Sequence, residues 1–248
     1  MNALTDIIET NKTILSKSVK LALRNWPIVF TGIVYTVILL LLWKIAFMFW
    51  ILAGILVAIV QSALISNYLY LIENIILYDR ITLDDFKKGF MVYIWKIYGV
   101  LLVLWFVNYG AGLFLGFIFN IRLGFISLWS LVILAGFLLL NSIPEVLYQK
   151  HYNVGESFGY SFDFIKENWL DWFVPNGLFW IILYLTVGSV LPSSLVGGIN
   201  MLSLSLKGVI VYFIGQWIFS FMMIYRGLLF QVLSSTTRRK RVFMRNNR

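Results

Sequence analysis

Three charged residues set in or beside long apolar runs are the first candidates for chemistry: Glu73 in LIEN, Glu145 in IPEV and Arg226 in YRGL. A charge at membrane depth is costly and normally faces a bundle interior, often beside an opposite charge. Two readings follow. Arg226 pairs with Glu73, Glu145 or both around a central axis, or the three charges reach the headgroups separately. The second needs fewer assumptions, because about 18 apolar residues precede Arg226 and already suffice to span. Polar side chains within the same runs, Gln61, Asn67, Asn108, Asn141 and Gln216, are either packing glue between helices or a polar path for a substrate.

Other chemistries find little support. His151 is the single His and lies in the loop sequence QKHY, so a His-based zinc site or a His-assisted serine nucleophile has no second partner. The chain has no Cys, which removes thiolate metal sites and thiol nucleophiles. No phosphate-binding glycine loop and no nucleophile elbow is found. The expectation is a protein that is not an enzyme and needs no cofactor or metal.

The elements that must position these residues are membrane spans. Of the 248 residues, 60% are hydrophobic and only 12% charged, too apolar for a water-soluble fold. Six spans are read: Pro27–Trp43, Ala46–Ile72, Ile97–Phe119, Leu123–Pro144, Trp172–Leu191 and Gly208 to Tyr225 or Leu233. The first two are separated only by Lys44, and the turn is expected at Trp43-Lys44. With six spans, all but Lys44, Arg122 and Lys207 of the 20 Lys and Arg fall on one side, which the positive-inside rule makes cytoplasmic. Both termini are then cytoplasmic in a cell membrane. The first 25 residues lack the compact apolar core and cleavage site of a signal peptide.

The chain reads as three copies of one unit, roughly 1–80, 81–152 and 153–237, followed by the basic tail 238–248. Each unit is a semi-polar lead-in, a Trp and a membrane hairpin. LSKSVKLALRNW (Leu15–Trp26) and FGYSFDFIKENW (Phe158–Trp169) share Ser18 with Ser161 and Asn25-Trp26 with Asn168-Trp169. The middle lead-in, FKKGFMVYIW (Phe86–Trp95), is two residues shorter, and Glu73 and Glu145 stand 72 apart, as do Phe86 and Phe158. The lead-ins are amphipathic, which fits helices in the headgroup plane or helices packed on the bundle. The alternative to duplication is that any membrane hairpin with an interfacial lead-in looks this way.

The lead-in ending in Asn-Trp and followed by a hairpin, in Leu15–Leu42 and Phe158–Leu191, resembles uncharacterised six-span membrane proteins of low-GC Gram-positive bacteria. It is similar too to the membrane region fused to some glycerophosphodiester phosphodiesterases. The catalytic domain of those enzymes has no counterpart here, so the resemblance implies a bacterial cytoplasmic-membrane protein and carries over no catalytic residue. The expected fold is an all-α polytopic bundle of about six transmembrane helices in three hairpin repeats, with interfacial amphipathic helices. The expected function is a permease-like or lipid- and amphiphile-handling accessory. The alternatives are a secondary transporter coupled to cations or protons through Glu73 and Glu145, and an intramembrane enzyme acting on lipid headgroups. Expected partners are membrane lipids, anionic at the basic face, and a membrane or ATPase subunit if the chain is a permease. The tail RRKRVFMRNNR is accounted for as a topology signal that attracts anionic lipid, so nucleic acid is not expected.

Overall fold

A computed structural model describes residues 3–119, 122–123, 126–188 and 206–236. In chain order it contains α1 (Ala3–Arg24), a 3₁₀ turn (Trp26–Phe30), α2 (Thr31–Ala46), a second 3₁₀ turn (Phe47–Leu52), α3 (Ala53–Tyr78), α4 (Leu83–Val92) and α5 (Ile94–Phe119). A two-residue antiparallel ladder, Arg122–Leu123 with Ile126–Ser127, follows α5, and then α6 (Leu128–Leu139), α7 (Ile143–Gln149), α8 (Val154–Val187) and α9 (Leu206–Ser235). Six segments are long and apolar enough to cross a bilayer: Trp26–Ala46, Ala53–Tyr78, Ile94–Leu113, Leu128–Gln149, Val154–Val187 and Lys207–Ser235. The chain is an all-α, multi-pass membrane bundle.

Several boundaries differ from the sequence expectation. The first turn is the 3₁₀ stretch Phe47–Leu52, not Trp43-Lys44. Lys44 stays in the last turn of α2, where a cation complements the negative helix end. The fourth span, expected unbroken over Leu123–Pro144, begins at Leu128 and breaks at Leu140–Ser142, so that α7 forms its end. Pro144 opens α7 at a position where its missing N–H costs nothing. The fifth span starts a few residues before Trp172, at a kink at Asn168 that joins it to the third lead-in within α8. Most of the expected connection Pro192–Leu206, and the tail 238–248, lie outside the described residues.

Each lead-in ends at a residue in the sparsely occupied bridge region of backbone space. These are Asn25 (φ −106°, ψ 31°), Tyr93 (φ −116°, ψ 6°) and Asn168 (φ −121°, ψ 19°). A Trp follows each break, at Trp26, Trp95 and Trp169. At 34 residues α8 is about 50 Å long, and its bend at Asn168 separates a lead-in half from a spanning half. Two lead-ins begin with reciprocal capping boxes, Thr82 with Asp85 and Asn153 with Glu156.

The lead-ins pack in a cyclic order. The first, α1, lies on α9; α4 lies on α3; the beginning of α8 follows α7 and packs on it. Each thus sits on an even-numbered span, and the first closes the ring against the last. The contacts fall at corresponding small residues: Ser18 is fully buried, the Gly89 carbonyl accepts from Ser66 Oγ at 2.6 Å, and Ser161 Oγ lies 2.8 Å from Ser142 Oγ. Asn25 ties the end of α1 to the α3–α4 connection, donating to the Asp79 carbonyl at 3.1 Å and accepting from the Ile81 N–H at 2.9 Å.

Burial is uneven along the bundle axis. Ile72, Ile75, Val146, Trp172, Ile224 and Phe230 are fully buried in the half beside the lead-ins. On the other half, α6 buries none of its residues and α5 is exposed from Leu102 to Tyr109. The lead-in half therefore holds the packed core, while the described residues in the far half of the middle hairpin are largely exposed.

Candidate functional site

Arg226 on α9 reaches Glu145 on α7 within the core. Its Nε donates to Glu145 Oε1 at 2.7 Å and its Nη2 to Oε2 at 2.9 Å, a two-pronged pair with 4% and 0% of the side chains exposed. The guanidinium also donates to Asn141, through Nη1 to the side-chain oxygen at 3.1 Å and through Nη2 to the backbone carbonyl at 2.7 Å. The break between α6 and α7 supplies that carbonyl, because Asn141 sits in the turn rather than inside a helix. Trp172 on α8 completes the group: its indole N–H donates to Asn141 Oδ1 at 2.9 Å, and its ring lies 4.9 Å from the guanidinium carbon.

The physical chemistry is that of a closed clamp. Two buried opposite charges cancel, and removing them from water is offset only when hydrogen bonds saturate both. Both carboxylate oxygens accept from arginine, and the guanidinium makes four hydrogen bonds and one face-on aromatic contact. One group thus joins α7, the α6–α7 break, α8 and α9. Close approach nearby is set by Gly227, where an added Cβ would collide with Ile76 Cδ1 of α3 and the Tyr148 hydroxyl of α7. Gln149 Nε2 donates to the Gly227 carbonyl at 2.9 Å.

Glu73 is not part of this group. Half-buried on α3, it accepts from the Tyr93 hydroxyl at the α4–α5 junction, with Lys96 and His151 within electrostatic reach. Burial and the adjacent carboxylate hold the Tyr93 phenol far above its ordinary range, so it stays protonated and donates. The Tyr93 N–H donates to Ser66 Oγ at 2.8 Å, which fixes the same junction on α3. His151 is exposed in the α7–α8 loop with φ 50°. Among the described residues no three His, Asp or Glu gather into a metal-holding group.

The five polar residues read as a path lie in separate surroundings. Asn67 is buried and accepts from the Tyr35 hydroxyl at 2.5 Å while donating to the Phe86 carbonyl of α4. Asn141 belongs to the arginine clamp. Gln61 is half-buried on α3, Gln216 is buried on α9 next to Gly32, and Asn108 is exposed on α5. Two of the five thus serve as helix-to-helix fasteners. Sequence reasoning missed Trp172 and Tyr93. Trp172 enters the sequence reading only as the start of the expected fifth span, yet it is wholly buried. One available signal was the four-residue spacing of Asn141 and Glu145, which suggests a common face. Comparison with protein-family models, curated proteins and solved structures finds no match to this chain.

Proposed function

We propose that the chain is a non-enzymatic membrane component that handles lipids or other amphiphiles at the headgroup layer of its basic side, the cytoplasmic face of a cell membrane. One observation carries this reading: each of the three lead-in helices turns one stripe to the bundle and leaves large apolar side chains and at least one lysine exposed outside it, the cationic flank being fullest on α1. On α1, Ile14, Ser18, Leu21 and Ala22 are buried against the bundle. Leu15, Val19, Leu23 and Trp26 form an exposed ridge at helical spacing, and Lys17, Lys20 and Arg24 occupy the remaining sector. On α4 the exposed apolar residues are Leu83, Met91 and Trp95 around Lys87, with Lys88 and Asp84 exposed beside them; on α8 they are Phe162 and Trp169 around Lys166, with Glu156, Asp163 and Glu167 exposed beside them. The closing Trp side chains are 57%, 68% and 57% exposed. Exposed apolar residues and terminal Trp suit the boundary between acyl chains and headgroups, and the cations of α1 and α4 suit anionic headgroups there.

The transporter alternative finds less support. Coupling through Glu145 would require a proton or cation to displace Arg226 from both carboxylate oxygens, which leaves Glu73 as the coupling carboxylate. The test is lipid retention by purified protein. Anionic phospholipid is expected to remain bound in detergent, and replacing Lys17, Lys20, Lys87 and Lys88 together by Gln should reduce retention at least about tenfold, each basic residue near an anionic surface contributing about 1 kcal/mol before screening. Equal retention by parent and variant counts against the proposal. So does flux in proteoliposomes that is driven by a pH gradient and lost in Glu73→Gln.

A further inference from the structure

Asn108 lies on α5 thirteen residues beyond Trp95, about 20 Å along the helix axis and deep within the hydrocarbon layer. Its side chain is exposed and has no hydrogen-bond partner among the described residues. The helical amides of Asn168 and Asn176 instead turn back to a carbonyl four residues earlier, at 3.1 and 2.7 Å, and Asn25 does the same at 2.9 Å. An amide left facing lipid carries the full cost of an unmade hydrogen bond. One helical turn further on the same face is Gly112, where an added Cβ would meet nothing within 4 Å, and Gly116 follows at the same spacing in the sequence. The same stripe is buried nearer the basic side, at Ile97, and becomes exposed by Leu104. From Leu102 to Tyr109 every side of α5 is exposed, so it is the unpaired Asn108 amide and Gly112 that mark this face.

We propose that a second copy of this chain covers that face, α5 against α5, with the two Asn108 amides bonded to each other. Asparagine is self-complementary, since it carries both donors and an acceptor. A twofold axis along the membrane normal places both Asn108 side chains at one depth. Gly112 lets the backbones approach. Small-residue contacts of this kind cross at about 40°, so the helices diverge on either side of the contact. That divergence fits a stripe whose basic-side end is already filled by the protomer's own core. The proposal is independent of the lipid-handling reading.

The chain has no Cys, so single-cysteine variants report without background. In membranes under oxidation, Leu104→Cys, on the Asn108 face, is expected to form a disulfide-linked dimer, and Val103→Cys, on the opposite face, is not. Adding Asn108→Leu should weaken association about tenfold by energy transfer between labelled copies, in the range measured for interhelical polar contacts, while Asn108→Gln retains it. Equal cross-linking at positions 103 and 104, or cross-linking of Leu104→Cys only to other proteins, overturns the proposal. Unchanged association in Asn108→Leu overturns it as well. A lower melting temperature of the dilute monomer with association intact would place the role of Asn108 within the protomer, and that too would defeat it.

Discussion

Arg226 has two carboxylates at corresponding places in the chain and pairs with one of them. The repeat spacing treats Glu73 and Glu145 alike, so the charge correspondence was legible while the choice between them was not. Local chemistry decides it. The break at Leu140–Ser142 frees the Asn141 carbonyl beside Glu145, and Trp172 gives the cation an aromatic face. Glu73 has Tyr93 as its neighbour instead. The consequence is a large asymmetry between single and double substitutions. Arg226→Met leaves a carboxylate buried without a counter-charge and should cost about 3–5 kcal/mol, whereas Arg226→Met with Glu145→Met should recover most of that loss. Thermal melts of the purified protein in one detergent check this. A double variant no more stable than Arg226→Met would mean that the pair is not what couples α7 to α9.

Among the elements, α4 shows where the hold on a lead-in is concentrated. Ser66 and Asn67 on α3 bond to the Gly89 and Phe86 carbonyls, and Gly89 lies so close that an added Cβ would stand 3.1 Å from the Asn67 Cα and 3.2 Å from its carbonyl oxygen. Backbone cannot retreat as a flexible side chain can. Gly89→Val should therefore lift α4 from α3 at a cost of about 1–3 kcal/mol, the usual penalty of overpacking. Hydrogen exchange over Leu83–Val92 should rise while that over the buried end of α9 stays unchanged. Equal exchange in parent and variant would show that α4 is held elsewhere. The three lead-ins were legible as elements because amphipathic periodicity survives in them. Their ends were harder to read. The third meets its span at the Asn168 kink, and the fourth span breaks at a turn, Leu140 to Ser142; neither place carries a Gly or Pro that would mark it. The packing of α1 on α9 could not be read locally, since nothing in either segment names the other.

For the whole molecule, the cyclic packing of lead-ins on even-numbered spans places three breaks, and three exposed Trp side chains, at one end of the bundle. Trp26 and Trp43 stand at opposite ends of the first span, roughly 27 Å apart along the helix, close to the thickness of a hydrocarbon layer. If the lead-ins lie in one headgroup plane, then spin labels at Trp26→Cys, Trp95→Cys and Trp169→Cys should report the same depth within about 5 Å, and a label at Met48→Cys should report the opposite interface. Packing of the three lead-ins at unrelated levels would scatter those depths by a helical turn or more. The cationic excess would then set the side: among the described residues, every Lys and Arg but Lys44, Arg122 and Lys207 belongs with the lead-ins. A membrane-impermeant maleimide on intact cells should label Met48→Cys, and should label Leu83→Cys only after permeabilisation. The reverse pattern would leave the shared plane intact and invert its assignment, moving the lead-in lysines to the leaflet that carries less anionic lipid, where the lipid-binding argument loses its electrostatic half.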